Sequence, residues 1–230
     1  MLVYGKNIAK ELLEKNRKIK KVIFQDSFDD KFIISSVEKK KIAFKYCSKK
    51  EMDHLCSGVH QGIILDIPDY QYKSIESVFD ADIVVLLDHL EDPHNLGAII
   101  RTCEAAGISH IILPKKRQVM INATVMKTSA GTLDNVNIIA VSNLSSTIDQ
   151  LKKNNFWVVG TSLDGNSDYR NIDYSGKIAL VIGNEGFGIS SLVSKKCDFL
   201  AKIPMYGKTN SLNASVAAGI MIYEIIRNRK

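Results

Sequence analysis

A regular alternation of apolar strands and helices from residue 83 onward restricts the folds open to this chain more than any other feature. Near-continuous apolar runs predict strands at 83–88, 110–113, 136–141, 156–161, 177–183 and 200–204. Helical spacing of apolar residues predicts the segments between them as helices, at 96–106, 123–131, 145–154, 189–196 and 212–227. Apolar strands separated by helices predict an α/β fold with a parallel sheet covered on both faces.

A smaller alternating unit precedes this sheet. Short helices and strands follow one another, and Ser48 and Glu51 have the spacing of a capping box that starts a helix. The polar stretch 69–82 contains scattered apolar residues, which favours a linker with a short helix. We therefore predict a small N-terminal α/β domain, a linker and a larger C-terminal domain, at residues 1–68, 69–82 and 83–230.

The positive charge is concentrated in the first quarter of the chain. Residues 1–58 carry 14 Lys or Arg and 8 Asp or Glu, whereas residues 59–230 carry 17 of each. A concentrated positive segment favours a polyanionic partner, most often nucleic acid, although a solvated lysine-rich face would have the same composition. The lysines expected to contact phosphates lie in loops that flank short strands: Lys18, Lys20, Lys21, Lys39, Lys40 and Lys41.

Membrane insertion, export and metal binding are not expected. The sequence has no run of 18 uninterrupted apolar residues, and its first residues lack the apolar region of a signal peptide. The four cysteines form no Cys-x-x-Cys pair, and the spacing of one His and Cys cluster fits no zinc pattern: Cys47, His54, Cys56 and His60. We expect reduced thiols in a cytoplasmic protein.

The loop after the first strand of the larger sheet is more polar than a turn requires. Residues 88–97 include two histidines, three acids and Asn95, and Arg101 lies about one and a half turns into the following helix. The chain has only six arginines against 25 lysines, and a guanidinium binds phosphate or carboxylate through a planar fork. Arg101 is therefore a candidate functional residue, the alternative being an arginine that extends from the helix edge into solvent.

A glycine-rich loop follows the strand at 177–183. Its sequence from Gly183 to Gly188 fits neither a P-loop, which needs a lysine after the last glycine, nor the Gly-x-Gly-x-x-Gly fingerprint of dinucleotide-binding proteins. What remains is a tight turn with one acid, Glu185, at the carboxyl end of a strand. Ligands bind at such ends in open α/β sheets.

A third polar loop, residues 203–213, leads into a helix whose first two turns carry small side chains. Asn210 or Ser211 would serve as an ordinary N-cap for this helix. Small residues permit close approach of a ligand or another backbone. They are Ala214, Ser215, Ala217, Ala218 and Gly219.

Together, these loops resemble the signature motifs of the SpoU (TrmH) family of RNA ribose 2′-O-methyltransferases, in the SPOUT superfamily. The matching segments are collinear over residues 83–230: Asp92–Gly97 with Arg101, Ile182–Gly186 with Gly188, and Ile203–Met205 with Ser211–Ala217. Asn184 departs from the motif, since relatives often have a small residue such as alanine there. We expect little effect because Gly183 and Glu185 are kept.

The N-terminal segments Tyr4–Asn7 and Gly58–Ile63 are similar to one subgroup of this family. That subgroup methylates a guanosine in 23S ribosomal RNA and carries an N-terminal domain like a small RNA-binding ribosomal protein. The resemblance therefore implies 23S rRNA as the partner. A transfer RNA is the alternative substrate because the catalytic motifs are shared, and a non-catalytic RNA-binding assembly factor is a third hypothesis.

The resemblance also implies an S-adenosylmethionine cofactor in a deep trefoil knot, and a homodimer. By motif, Gly183, Ile203 and Leu212 would hold the cofactor, largely through backbone groups. Arg101 would act as a general base or as a phosphate anchor that stabilises the developing alkoxide. We favour the anchor because a guanidinium stays protonated. Four further residues would position the ribose and Arg101: Asn95, Glu185, Ser211 and Asn213.

The helix after Leu212 is expected to form part of the dimer face. Several of its apolar residues recur at roughly helical spacing, which suits a tight helix-to-helix contact. They are Ala214, Ala217, Ala218, Met221 and Ile225.

Overall fold

A computed structural model describes residues 1–56, 58–165 and 167–229 of the chain. The contacts between residues divide the chain into two compact units. The first unit comprises Met1–Gln71 and Ile121–Lys127, and the second comprises Tyr72–Met120 and Thr128–Lys230.

The first unit is a small α/β domain with one sheet and several short helices. Its elements are β1 (Leu2–Tyr4), α1 (Lys6–Glu14), β2 (Lys21–Gln25), α2 (Lys31–Lys39), β3 (Phe44–Cys47), α3 (Lys49–Leu55) and β4 (Ile63–Asp66). Among the described residues the sheet has the strand order β1–β4–β2–β3. β3 is parallel to β2, whereas β4 pairs antiparallel with both β1 and β2. The predicted small N-terminal α/β unit is therefore confirmed.

Local sequence signals explain the helices of this unit. α1 buries Ile8, Leu12 and Leu13, which recur at helical spacing. The capping box at α3 is present, because the Ser48 backbone N–H donates to Glu51 Oε2 at 2.8 Å and Ser48 Oγ accepts from the Glu51 N–H.

The second unit holds the larger sheet. Its strands are β5 (Ile83–Asp88), β6 (His110–Pro114), β7 (Asn137–Val141), β8 (Phe156–Thr161), β9 (Ser167–Asp168), β10 (Lys177–Gly183) and β11 (Phe199–Lys202). The helices from this part of the chain are α4 (Pro93–Ala105), α5 (Ala123–Thr128), α6 (Leu144–Lys153), α7 (Ser191–Ser194) and α8 (Ala214–Arg227). Short 3-10 turns lie at Ile75–Val78, Thr132–Asn135 and Tyr169–Asn171.

The larger sheet is parallel, as predicted. Its order over the described residues is β7–β6–β5–β10–β8–β11–β9, and each recorded pair of strands is parallel. The central strands β5 and β10 are almost entirely buried. α6 packs on one face through Leu144, Ile148 and Leu151. α8 packs against β10 and against α4, and this double covering explains why the strands are apolar on both faces.

Several helix ends differ from the prediction for identifiable reasons. α4 begins at Pro93 rather than residue 96, because the Asp92 carboxylate caps it by accepting from the His94 N–H at 2.9 Å. α5 ends at Thr128 rather than residue 131, because Ala130 and Gly131 have φ angles of 49° and 82°.

The N-cap of α8 is Asn213, not Asn210 or Ser211 as expected. Its side-chain oxygen accepts from the backbone N–H groups of Ser215 at 3.0 Å and Val216 at 3.3 Å. The helix therefore begins two residues later than the predicted start at residue 212.

The face of α8 that was expected to meet a second subunit lies mostly inside the chain. Four of the five expected residues are buried: Ala214, Ala218, Met221 and Ile225. The fifth, Ala217, lines a cavity described below. Val216 and Tyr223, which are 50% and 53% exposed, lie outside this buried group. The expected contact face is therefore largely covered by packing within the chain.

The segment Ile121–Lys127 belongs to the first unit, although it follows strands of the second along the chain. Ala123 and Met126 pack against the apolar core of the first unit. Among the described residues no helix is long and apolar enough to cross a bilayer.

Candidate active site

A cavity of about 330 Å³ lies at the carboxyl ends of three adjacent strands, β8, β10 and β11. Its walls come from residues 161–164, residues 182–189 and parts of the region 201–217. The volume falls within the range of small-molecule sites in proteins. The position agrees with the rule that open α/β sheets bind ligands beyond the carboxyl ends of their strands.

The residues predicted to hold a cofactor all line this cavity. They are Gly183 at the end of β10, Ile203 after β11, and Leu212 shortly before α8. Glu185 and Ser211 line it as well. Two of the three polar loops that the sequence analysis singled out therefore meet at one cavity.

Gly183 is required by the turn that it begins. A Cβ atom built on Gly183 would lie 2.2 Å from the carbonyl carbon of Gly188 and 2.4 Å from the nitrogen of Ile189. Real Cβ atoms do not approach backbone so closely, so any side chain would open the turn. Glycine at 183 thus permits a close approach within the chain's own backbone.

Asn184 closes the same turn with both its backbone and its side chain. Its backbone N–H donates to Gly188 O at 3.0 Å and its carbonyl accepts from the Gly188 N–H at 2.9 Å. Its side-chain oxygen accepts from the Gly186 N–H at 2.8 Å, and its side-chain nitrogen donates to the carbonyl of His89 at 3.0 Å. The turn after β10 is therefore tied to the loop after β5.

Asp88 makes a second connection between these two loops. Its side chain is 1% exposed. It accepts from the Ser190 N–H at 2.7 Å through Oδ2, and its Oδ1 lies 2.6 Å from Nδ1 of His89. His89 itself has a φ of 63°, a left-handed conformation that costs a non-glycine residue energy. Hydrogen bonds of its imidazole with Asp88 and of its carbonyl with Asn184 hold His89 in this conformation.

Three of the predicted catalytic residues form one hydrogen-bonded group. Asn95, near the start of α4, donates through Nδ2 to Glu185 Oε1. Asn213 donates through Nδ2 to Asn95 Oδ1 at 3.0 Å. Asn95 is 7% exposed, so both ends of its amide are satisfied in a largely dry setting. We refer to Asn95, Glu185 and Asn213 as the amide network.

Arg101 and Ser211 are not members of the amide network. Arg101 is exposed on α4 and forms no hydrogen bond or salt bridge with any residue that the structure describes. Ser211 is half-buried at the cavity wall, and its hydroxyl has no recorded partner within the described ranges. Both side chains are therefore available to a ligand.

One wall of the cavity was missed by the sequence analysis. Residues Thr161–Asp164, at the end of β8 and just after it, also line the cavity. Thr161 Oγ1 donates to the carbonyl of Val181 at 3.3 Å, which joins this segment to β10. The only sequence signal for this wall was its position at the end of a predicted strand, where ligands bind in open α/β sheets.

Two cysteines, Cys103 and Cys197, are poor candidates for catalysis. Burial raises the pKa of the Cys103 thiol to about 12, and burial raises that of Cys197 to about 12 as well. Thiols with such values are protonated at neutral pH and are poor nucleophiles. Over residues 1–56, 58–165 and 167–229, no group of three or more His, Cys, Asp or Glu side chains could hold a metal ion.

Sequence comparisons connect this geometry to known proteins. The model of the SpoU rRNA Methylase family matches residues 82–223, and a model described as RNA 2′-O ribose methyltransferase substrate binding matches residues 2–73. A Bacillus subtilis (strain 168) protein, named as the TrmH family tRNA/rRNA methyltransferase YacO, is 40% identical over 237 residues. The alignment covers 99% of this chain and 95% of the relative.

Solved structures share the fold over nearly the whole chain. The SpoU methyltransferase AviRb from Streptomyces viridochromogenes, solved with AdoMet, matches with a TM-score of 0.82 and 22% identity, covering 99% of this chain and 89% of that one. An AdoMet-bound rRNA methyltransferase from Sinorhizobium meliloti matches with a TM-score of 0.78 and 27% identity, covering 98% and 86%. The chain therefore belongs to the SpoU (TrmH) family of RNA methyltransferases.

Proposed function

We propose that this RNA methyltransferase transfers a methyl group from S-adenosylmethionine to the ribose 2′-hydroxyl of a guanosine in 23S ribosomal RNA. The observation that carries the proposal is the amide network, which joins Asn95, Glu185 and Asn213 beside the cavity. A chain that had kept only the fold for a binding role would have no need of these matched polar contacts. A non-catalytic assembly factor is therefore the weaker hypothesis.

The chemistry of the cavity fits S-adenosylmethionine. Ile182, Ile203 and Leu212 offer apolar surface for an adenine ring. The carboxylates of Asp164 and Glu185 offer negative charge, which favours a sulfonium cation. Gly183, Ile203 and Leu212 are the residues that we assign to the cofactor. The trefoil knot that the family resemblance implies belongs to the same proposal.

Orientation of the two reactants supplies most of the acceleration in this mechanism. When bound, S-adenosylmethionine would supply the methyl group to the 2′-oxygen and leave as S-adenosylhomocysteine. Asn95, held by hydrogen bonds at both ends of its amide, fixes the position of the Glu185 carboxylate at the cavity wall. Ser211, which also lines the cavity, positions the ribose by hydrogen bonding.

Arg101 provides the positive charge. Its guanidinium anchors an RNA phosphate and stabilises the alkoxide that develops on the 2′-oxygen. A guanidinium remains protonated in proteins, so the proton of the hydroxyl passes to solvent. Proton removal by Arg101 is our second choice.

Ribosomal RNA is favoured over transfer RNA by the N-terminal unit. Residues 2–73 match a substrate-binding model, and the rRNA methyltransferase of S. meliloti is similar over 98% of this chain, N-terminal unit included. We assign RNA binding to residues 1–68, a linker to 69–82 and methyl transfer to 83–230. Ribose methylation of a transfer RNA is the second candidate, because the name of the B. subtilis relative includes both kinds of RNA.

Two further parts of the proposal concern assembly and location. We infer that two copies pair through the exposed face of α8, which includes Val216 and Tyr223. We also infer a cytoplasmic location, where ribosomal RNA is made and modified in bacteria.

One assay tests the proposed function. S-adenosylmethionine with a labelled methyl group is offered to the full chain with separated ribosomal and transfer RNA, and the product is digested to nucleosides. Label in 2′-O-methylguanosine from 23S rRNA is the expected result. Label in transfer RNA alone would favour the second candidate, and label on a base rather than a ribose would refute the proposed reaction.

A further inference from the structure

Residues 39–50 form a basic segment that contains aromatic side chains but no acid. The sequence Lys-Lys-Lys-Ile-Ala-Phe-Lys-Tyr-Cys-Ser-Lys-Lys holds six lysines and two aromatic residues. A solvated lysine-rich face does not require aromatic residues, and an apolar core does not require lysines. Single-stranded nucleic acid binds to surfaces that combine positive charge with exposed aromatic rings.

The structure places this segment at an edge of the smaller sheet. β3 is last in the order β1–β4–β2–β3, so one side of it pairs with no strand among the described residues. Phe44 and Tyr46 are 40% and 46% exposed. They lie in register with Val22 and Phe24 of β2, so both rings project from the same face of the sheet.

The two rings are supported by aromatic residues. The ring centroids of Phe44 and Tyr46 are 6.0 Å apart and their planes are nearly perpendicular, at 88°. The fully buried Phe24 lies 5.8 Å from Phe44 and 5.5 Å from Tyr46, and Phe28 stacks on Phe24 at 5.0 Å. Rings that are already fixed lose little conformational entropy when a base stacks on them.

The six lysines of the segment are exposed, but they lie on different faces of the sheet. Residues 39–41 lie at and just after the end of α2, which packs with Phe24 on the face of the rings, whereas Lys45 projects from the opposite face, on which α3 packs through Met52. None of the six lysines forms a salt bridge with a residue in the described part of the chain. Their charge is therefore not neutralised by an ion pair and can attract phosphates.

We propose that residues 39–50 are a stacking platform for unpaired bases of the substrate RNA, with Phe44 and Tyr46 as the stacking side chains. The proposal rests on the proposed function for the identity of the partner as RNA, and it adds the surface that binds it. Bases splayed out of a folded RNA stack on aromatic rings while the neighbouring phosphates meet lysines. An acidic protein or an anionic lipid would account for the lysines alone.

The platform is tested by binding of the full chain to two labelled probes with equal numbers of phosphates, a single-stranded oligouridylate and a fully paired RNA duplex. The double variant Phe44→Leu/Tyr46→Leu keeps apolar volume but removes the rings. It should weaken binding of the oligouridylate about tenfold or more, and binding of the duplex less than about twofold. Phe44→Trp, which keeps a ring, should bind the oligouridylate at least as well as the unmodified chain.

Charge variants and matched controls separate base stacking on the rings from electrostatic attraction between lysines and phosphates. Reversal of Lys39, Lys40 and Lys41 to glutamate should weaken both probes and lower the log–log salt slope by about one unit for each lost contact. Leu2→Ala changes an exposed apolar residue on the opposite edge strand, β1, and Lys153→Glu reverses an exposed charge on α6. Both should bind as the unmodified chain does, and circular dichroism melting confirms that each variant is folded.

Equal weakening of both probes by the ring variant, or no weakening of either, would overturn the platform. Methyl transfer is measured separately, so that the two proposals fail in different ways. A chain that binds oligouridylate through these rings but methylates no RNA would refute the proposed function and leave the platform in place. Normal methylation of ribosomal RNA together with unchanged probe binding in the ring variant would refute the platform alone.

Discussion

The side-chain amide of Asn184 donates a hydrogen bond of 3.0 Å to the main-chain carbonyl of His89, joining the loops that follow β10 and β5. The same side chain accepts from the Gly186 N–H at 2.8 Å. Asn184 therefore secures the cavity turn with two side-chain hydrogen bonds that an alanine could not make.

Replacing Asn184 by alanine should weaken S-adenosylmethionine binding about fivefold, because a net hydrogen bond contributes on the order of 1 kcal/mol. Isothermal titration calorimetry measures the change. Asn184→Asp is the matched variant, since it keeps the acceptor for Gly186 but loses the donor for His89. If both variants bind the cofactor as tightly as the unmodified chain, the bridge has no role in shaping the cavity.

Arg101→Ala should lower the methylation rate at least about a hundredfold, the scale of losing one electrostatic contact in a transition state. Cofactor affinity and thermal stability should be unchanged, because Arg101 is exposed and without partners among the described residues. Arg101→Lys should be nearly as slow, since an ammonium does not replace a planar fork. Near-normal turnover of the alanine variant would remove Arg101 from the mechanism.

Asn213→Asp separates two roles of one side chain. The carboxylate can still cap α8, because Asp and Asn are comparable N-caps, but it cannot donate to Asn95 Oδ1. We expect a melting temperature close to that of the unmodified chain and a clear fall in kcat. Asn213→Ala should lose both the helix cap and the hydrogen bond to Asn95, and the lost cap should lower the free energy of unfolding by about 1 kcal/mol. Full activity of the aspartate variant would show that the amide network is not needed for the reaction.

Tyr223→Glu should convert a dimer into a monomer in sedimentation velocity experiments, because it places a charge on the exposed face of α8. Ala218→Glu is the contrasting variant. Ala218 is fully buried within its own chain, so this change should unfold the protein rather than dissociate it. An unmodified chain that sediments as a monomer at micromolar concentration would contradict the proposed homodimer.

The buried thiols should make the protein less stable in alkali. The pKa of Cys103 is raised by burial from 9.0 to about 12 in the folded chain. Below pH 9 the thiol is protonated in both the folded and unfolded states. Between pH 9 and 12 the unfolded state alone loses the proton, so the free energy of unfolding falls.

Urea unfolding at pH 8 and pH 10.5 measures this effect. Cys103→Ala should be less stable at both pH values because it removes buried volume, but its stability should fall less between them. The quantity compared is the fall in the free energy of unfolding between pH 8 and pH 10.5. Equal falls for the variant and the unmodified chain would show that Cys103 does not contribute to the pH dependence.

The sheet could be predicted because its strands are long, apolar and well separated. β5, β8 and β10 have the predicted bounds. The inward face of α8 could not be predicted, because this helix is apolar on most sides and its periodicity does not distinguish inside from outside. The grouping of Ile121–Lys127 with the first unit could not be predicted either. The few apolar residues of this segment do not indicate which apolar core they join.

The site could be predicted only as a set of residues. Sequence motifs named Asn95, Glu185 and Asn213, but not the bonds between them, because partners 90 and 118 residues apart leave no local signal. The wall at Thr161–Asp164 was missed because a short polar turn after a strand resembles any other turn.

The bond between Asn95 and Asn213 closes a loop of 118 residues. Contacts of such long range are costly in chain entropy and form after local helices and strands. A chain in which the sheet had formed but α8 had not docked would therefore lack the bond between Asn213 and Asn95 and the cavity wall that includes Leu212 and Ala217. Recovery of methyl transfer during refolding would then report the docking of α8 against α4 and β10.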